Sequence, residues 1–393
     1  MKNLITKEQE FLYRGFREFV QEHVEPEAAA WDQQQGVSRE VIARLSAEGY
    51  LGAMIPEEYG GKGWDLVTYG LLNEAFGKAS SSLTVLFTVQ NMVSSVLMKW
   101  GTEYQVNKWL EPIAKGDVLA AFALTEPNVG SDIGNVEACF TDTGESYLLN
   151  GTKRWITFAG LADLYLIFGK CGGKPIACFL ERTTPGLKVT KINNMLGFKG
   201  CYLGILEFDN IVVPKENIVG KPGFAISHIA PYGLHYGRLS TAFSSLGLLR
   251  GCLELASDHV LRRKSAGVTL INHGMVAEKI ADMGVNYDAA FHLCVDAAKA
   301  DEKGQPNAME QMIAAKYFAS RKSVSAAADT VQLLGALGCH EESSPAGRYY
   351  RDAKIMEIIE GTNQVLQTVL GQSYAKRYRT KVNKITTTGS VSI

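Results

Sequence analysis

Residues 351–364 read Arg-Asp-Ala-Lys-Ile-Met-Glu-Ile-Ile-Glu-Gly-Thr-Asn-Gln, and the chemistry of the chain centres on Glu360 within them. The stretch begins as a charged helix, turns apolar at Ile355, Met356, Ile358 and Ile359, and sets Glu360 directly before Gly361. A carboxylate closing an apolar run before a helix-stopping glycine is poorly solvated and aimed out of its helix. Desolvation raises a carboxyl pKa, which suits Glu360 to act as a base near neutral pH. Thr362 can cap a following helix through Gln364 and Val365. A plain surface glutamate beside a C-cap glycine would read the same way, and spacing alone favours that simpler account.

Two further stretches carry groups that could meet a ligand. In Ala-Phe-Ala-Leu-Thr-Glu-Pro-Asn-Val-Gly-Ser-Asp (121–132), Thr125 offers a hydroxyl where an apolar strand ends. Gly130 lets backbone N–H groups approach closely, and Ser131 adds a second hydroxyl. A strand-to-turn junction without a ligand has the same composition. Trp155-Ile156-Thr157 sets an indole on a strand, where tryptophan is usually core. Metal chemistry finds no support: the seven cysteines form no CxxC pair, the seven histidines are scattered, and Cys339-His340 alone make no tetrahedral site. Gly169 to Lys174 is glycine-rich but lacks GxGxxG spacing, and neither a Walker loop nor a GxSxG elbow occurs.

Taken together, these motifs resemble the acyl-CoA dehydrogenase family along nearly the whole chain. The resemblance implies an N-terminal all-α domain, a middle antiparallel β-barrel domain and a C-terminal four-helix bundle. It implies FAD as cofactor and an acyl thioester as substrate. Glu360 falls on the family's base, which removes the α-proton while the β-hydrogen leaves as hydride. Gly361, Thr362 and Gln364 follow it in the same signature, Gly361 toward substrate and the other two toward the cofactor. Phe122, Leu124, Thr125, Gly130 and Ser131 fall on the stretch that lines the flavin, with Ser131 also meeting the thioester. Trp155, Ile156 and Thr157 fall on the family's Trp-Ile-Thr beside the ring. His235 and Arg238 lie where the family meets substrate at the start of its bundle. Arg263, Gln332 and Gly335 fall on residues that reach the FAD of a neighbouring subunit, which implies a homodimer or homotetramer.

Several positions depart from the family pattern. Ala266 stands where a phenylalanine is usual, Gly274 replaces a glutamine ligand, and Ala336 replaces a second glycine. His235 replaces a frequent aspartate, and Ile359 a common aromatic. The ADP half of the flavin site is therefore weakened relative to the ring half. Stretches such as Gly151-Thr-Lys-Arg-Trp and Ala315-Lys-Tyr-Phe-Ala-Ser-Arg resemble a narrower branch. That branch makes hydroxymalonyl-, methoxymalonyl- or aminomalonyl-carrier-protein extender units for polyketides, so an acyl carrier protein becomes an expected partner. Other readings are a dehydrogenase of short- or medium-chain acyl-CoA catabolism, an oxidase passing electrons to O₂, and a flavin-poor, non-catalytic descendant that binds a carrier protein. The electron acceptor is left open.

With 393 residues the chain can form two or three domains around a large core. Hydrophobic content of 46%, charged content of 21% and a net charge of −1 give no argument for nucleic acid or a membrane surface. The N-terminus carries neither a signal-peptide core nor an Arg-rich transit pattern, and no apolar run reads as long enough to span a bilayer. A cytoplasmic protein is expected.

The elements that must position these groups fall into three blocks. Residues 1–118 read as helices, with a capping box at Thr6 to Gln9, a proline–glycine break at 55–61, and helical patterns over 65–78 and 85–100. Residues 119–222 read as short strands, with a hairpin expected at Asn150-Gly151 and strands at 164–168, 176–180, 187–189 and 205–213. Residues 223–375 read as long helices over 239–263, 275–300 and 309–337. The basic and polar tail, 376–393, is expected to be flexible.

Overall fold

In the computed structural model, which describes residues 4–387 and side chains as far as Arg379, the chain passes from helices to a sheet and back to helices. Helix α1 (Lys7–His23) starts at the expected capping box. Thr6 Oγ1 accepts the Gln9 N–H at 3.1 Å, and the Gln9 side chain accepts the Thr6 N–H at 2.9 Å. After α2 (Ala28–Gln34) and α3 (Arg39–Ala47), short 3-10 turns carry the proline–glycine break. Helix α4 (Leu66–Ala79) is capped by Asp65, whose side chain accepts the Thr68 N–H at 2.6 Å. Only Ser80, with an extended backbone, separates it from α5 (Ser81–Trp100), so Ser81 and Ser82 are helical. Helix α6 (Glu103–Lys115) was absent from the expected elements, although Thr102 and Gln105 form a second capping box.

Among the described helices α5 has the length and apolar composition of a membrane span, contrary to the sequence reading, yet 94% of that window is buried within the protein. It is a core helix.

The middle block forms one sheet from β1 (Ala120–Ala123), β2 (Cys139–Asp142), β3 (Ser146–Ile156), β4 (Leu164–Cys171), β5 (Lys174–Glu181), β6 (Leu187–Lys191) and β7 (Gly204–Pro214). The order is β1-β4-β2-β3-β7-β6, with β5 also paired to β4. Most pairings are antiparallel as expected, but β1 and β2 both run parallel to β4, Ala120 opposite Leu164 and Cys139 opposite Lys170. Asn150-Gly151 makes no hairpin turn, and β3 runs straight through it. The register against β7 jumps there, from Leu149 opposite Ile211 to Gly151 opposite Phe208. The bulge is held by the Asn150 and Asn210 side chains, paired at 3.1 Å, and by the Asn210 N–H on Asn150 Oδ1 at 2.8 Å. Gly151 has φ of 134° and its Cα lies against Ala138, so long-range packing, not a local turn, selects that pair.

The last block begins with a π-turn at Ala225–Ile229 and the long helix α7 (Ala230–Arg262). A short ribbon, β8 (Lys264–Ser265) with β9 (Val268–Thr269), leads to α8 (Gly274–Glu302) and α9 (Ala308–Leu334). Gly335, at φ 62° and ψ −135°, ends α9 before the expected Leu337, and α10 (Ala336–Cys339) restarts beyond it. Then come α11 (Ala346–Met356) and α12 (Asn363–Thr387), which continues as helix through 376–387, where a flexible tail was expected. Residues 388–393 lie outside the described residues. One core joins the first helices to the bundle through Phe76, Phe87, Phe243 and Phe291. Another joins α5 and the start of α7 to the sheet through Val96, Phe122, Phe168 and Ile229.

Candidate active site

Glu360 sits in the turn between α11 and α12. Its φ is 55° and that of Gly361 is 92°, so two successive left-handed residues turn the carboxylate away from the helix that precedes it. Thr362 Oγ1 then accepts the Val365 N–H at 3.4 Å, the cap expected for the next helix. Although the residue as a whole is half-buried, Oε2 is enclosed and has no hydrogen-bond partner among the described residues. Burial pushes the Glu360 carboxyl up to about 7, against the opposing pull of Arg238 and Lys316. An unpartnered carboxylate poised near neutrality can take a proton.

The turn is clamped from two helices. Arg238 on α7 donates from Nε to the Glu360 carbonyl at 3.3 Å. Lys316 on α9, fully buried, donates from Nζ to the Gly361 carbonyl at 3.0 Å and to Asn363 Oδ1 at 3.1 Å. Burial lowers the Lys316 amine to about 7, with Glu360 opposing.

The carboxylate lies over α7 at Gly237, where an added Cβ would overlap it and would stand 3.0 Å from Met92 Sδ of α5. One turn earlier on the same face of α7, Gly233 makes room for the Phe122 ring, with Val96 of α5 beside it. Glycines four residues apart share one helix face about 6 Å apart along the axis. Thus α5 and α7 form a floor with Phe122 at one side and Glu360 at the other.

On the Phe122 side, β3 is tied to the segment that follows β1. The Arg154 N–H bonds the Thr125 carbonyl at 2.9 Å. Lys153 Nζ bonds the Leu124 carbonyl at 2.9 Å and Glu126 Oε1 at 2.7 Å. Glu126 in turn accepts the Glu137 and Ala138 N–H groups at 2.5 and 2.9 Å. This fully buried ion pair fixes the loop that follows Thr125; burial pushes the Lys153 amine down to about 8, against Glu126. Phe122, Leu124 and Ile156 are buried, and Thr125 and Thr157 are half-buried. Trp155 is 42% exposed, with φ of 64° and the Arg154 guanidinium 4.5 Å from its ring. Gly130 and Ser131 lie exposed on the loop, and nothing stands within 4 Å of where a Gly130 Cβ would be.

Other expected residues fall elsewhere. His235 is turned toward Asp301, its Nε2 3.0 Å from Oδ1 but off the line of a hydrogen bond. Arg263 and the segment around Gln332 and Gly335 meet at the far end of α7, where Arg263, Leu334 and Leu337 line one cleft. From Gly237 to Arg262 the helix rises roughly 37 Å, so this chain does not bring those groups to its own Glu360. Gln364 is exposed on the first turn of α12. Sequence reading passed over Glu126, Lys153, Lys316 and Gly237. A signal existed for two of them. Lys316 falls on the helical face shared by Met312, Ala319 and Ser323, and Gly237 is a costly residue inside a helix unless something must approach.

Comparison with known proteins accords with this geometry. Models of the acyl-CoA dehydrogenase N-terminal, middle and C-terminal domains match residues 6–117, 121–211 and 227–375. An acyl-CoA dehydrogenase of Bacillus subtilis (strain 168) is 34% identical over 374 residues, covering 94% of this chain and 98% of that protein. A Mycobacterium smegmatis glutaryl-CoA dehydrogenase solved in complex with FADH2 superposes with a TM-score of 0.90 at 25% identity, over 95% of this chain and 96% of that one. FkbI, solved under a title naming biosynthesis of the methoxymalonyl extender unit of a polyketide, superposes with a TM-score of 0.84 at 29% identity, over 92% and 99% of the two chains.

Proposed function

Because the chain belongs to the acyl-CoA dehydrogenase family, we propose that it is an FAD-dependent dehydrogenase of acyl thioesters in which Glu360 removes the α-proton. The observation that carries this reading is the enclosed, unpartnered Glu360 carboxyl, raised to about 7 and facing a floor shared with Phe122.

The residues present fit a flavin. The uncovered Trp155 indole, the Phe122 and Leu124 side chains, the Thr125 and Thr157 hydroxyls and the open Gly130 backbone make an apolar wall with polar edges. Phe122, Leu124, Thr125, Gly130, Ser131, Trp155, Ile156 and Thr157 would hold its ring half. FAD, when bound, supplies the acceptor for the β-hydrogen, which leaves as hydride. Everything else falls to the protein. The Glu360 carboxylate takes the α-proton, and its enclosure excludes the water that would otherwise solvate it. Arg238 and Lys316 hold the turn by its carbonyls, so the carboxylate is placed before substrate arrives. Arg263, Gln332 and Gly335 serve a second copy's cofactor at the far end of α7, which makes the working unit at least a dimer. Thr362 and Gln364, which open α12, would meet the cofactor from that side.

One reading is an acyl group carried on a carrier protein in polyketide biosynthesis, whose polyketide part is supported by the likeness to FkbI. The B. subtilis relative supports equally the other reading, an acyl-CoA substrate. The test is Glu360→Gln, which keeps shape but removes the basic oxygen. Flavin reduction by a reactive thioester falls by at least about a hundredfold while the oxidised flavin spectrum is kept. Reduction at the wild-type rate would place the base elsewhere. Presenting one acyl group on CoA and on a carrier protein, and comparing kcat/KM, separates the two readings.

A further inference from the structure

The chain carries no Asp or Glu after Glu360, and five cations follow it: Lys376, Arg377, Arg379, Lys381 and Lys384. The whole chain has a net charge of −1, so this basic end stands against an acidic remainder. The family's C-terminal domain model ends at residue 375, which leaves all five cations outside the matched pattern. They lie on α12, whose anchors step along α9 toward its start. Leu366 and Leu370 pack with Ile313, while Ser373 and Arg377 both bond Glu310. Glu310 belongs to the first turn of α9, so α12 outruns the helix it packs on. From Arg377 to Thr387 it advances roughly 15 Å beyond that ion pair. Along this half of α12, Tyr374, Tyr378, Val382 and Ile385 recur at helical spacing, and Arg377, Lys381 and Lys384 recur beside them. The pattern is an apolar stripe edged by cations, and Tyr378 within it is 64% exposed.

The overhang stands at the end of the bundle toward which the site opens. Helix α7 is buried from Leu239 to Cys252 and half-exposed at Tyr232, Leu234, Tyr236 and Arg238, so a thioester lying between Glu360 and Gly237 leads out past the start of α7. That start adjoins the end of α8, where His235 Nε2 lies 3.0 Å from Asp301 Oδ1. Residues 303–307 pass from there directly to the start of α9. We propose that the basic end of α12 is a docking arm for an acidic carrier protein, which presents the acyl thioester on its pantetheine arm. The inference rests on the carrier-protein reading and names the surface that reading needs. A carrier protein stays folded outside while its thioester reaches Glu360, so it must be held beyond the mouth. Cations there steer an acidic partner and speed its encounter, and the apolar stripe supplies contact once it has docked. An anionic membrane would draw the same cations, but it presents no thioester to the site.

The experiment presents propionyl and butyryl groups to the FAD-loaded protein, on an acidic acyl carrier protein and on pantetheine alone. Flavin reduction is compared with that of the full-length triple variant Arg379→Glu, Lys381→Glu, Lys384→Glu. In the variant kcat/KM for the carrier substrate should fall at least about tenfold, through KM, while the pantetheine value stays within about twofold. The pair Lys381→Gln, Lys384→Gln, which only removes charge, should show the same loss in smaller degree. Added salt should weaken the carrier reaction of the unsubstituted protein and spare the pantetheine one. A carrier KM that both variants leave unchanged overturns the arm, whatever the salt dependence. If the variants instead abolish binding to phosphatidylglycerol vesicles while the carrier KM holds, the basic end serves a membrane and the proposal is wrong. A carrier substrate no better than its pantetheine counterpart overturns the arm and the carrier reading together, and leaves the dehydrogenase reading standing. If neither presentation reduces the flavin, the dehydrogenase reading falls as well.

Discussion

Lys316, buried in the middle of α9, donates to the carbonyl of Gly361 at 3.0 Å and so ties the bundle to the turn that carries Glu360. Each of these two charged groups is drawn toward the neutral state by burial, and they sit in one electrostatic neighbourhood.

Their linkage to folding has opposite signs. Glu360 is raised from 4.5 to about 7, so the unfolded chain releases its proton first and stability falls as pH rises from about 4.5 to 7. Lys316 is lowered from 10.5 to about 7, so the unfolded chain holds its proton longer and stability rises from about pH 7 to 10.5. Their joint contribution is least near pH 7. Urea unfolding across this range should lose the acid-side decline in Glu360→Gln and the alkaline-side rise in Lys316→Met. Unchanged slopes would contradict the assignment.

Gly237→Ala separates activity from folding. Alanine favours a helix by about 1 kcal/mol over glycine, but its methyl takes the space of the Glu360 carboxyl. That carboxyl is the end of a flexible side chain and will move aside. A displacement near 1 Å can cost about a hundredfold. Flavin reduction should therefore drop at least about tenfold, with the melting temperature held or raised.

Lys153→Met tests the Phe122 side. It leaves Glu126 buried without its cation and the Leu124 carbonyl without a donor. Breaking one partner of a buried pair costs about 3–5 kcal/mol. Calorimetry should show a large fall in melting temperature, and flavin affinity should fall with it as the loop after Thr125 loosens.

What could be read from sequence followed local rules. The caps at Thr6 and Thr362, the long helices and the strand positions all depend on neighbours a few residues apart. Asn150-Gly151 failed as a hairpin because its conformation is chosen by Ala138 and Asn210, distant in sequence. The apolar run ending in Glu360-Gly361 is itself local, but on spacing alone it favours a plain surface glutamate, and it is the family resemblance that singles the residue out. Its clamp and its neighbours are not local. Lys316, Gly237 and Phe122 reach the site only through the crossing of α7 and α9 and the docking of β1 on α5. His235 was expected near substrate only from the family resemblance; on α7 its Nε2 lies 3.0 Å from Asp301 Oδ1, a neighbour distant in sequence.

Arg238 offers the sharpest check on the base itself. Its guanidinium is the stronger of the two cations that oppose the burial of Glu360, and its Nε also holds the Glu360 carbonyl. The rate of flavin reduction should rise with pH as the carboxyl ionises, with the acid limb centred near 7. In Arg238→Gln the neutral side chain can still donate to the carbonyl, but the charge is gone. A carboxylate deprived of a nearby cation is harder to ionise, so the limb should move to higher pH. At low pH the variant should be the slower enzyme, and the gap should narrow as pH rises. An acid limb that stays in place, or moves down, would mean that the titrating group in the rate is not Glu360.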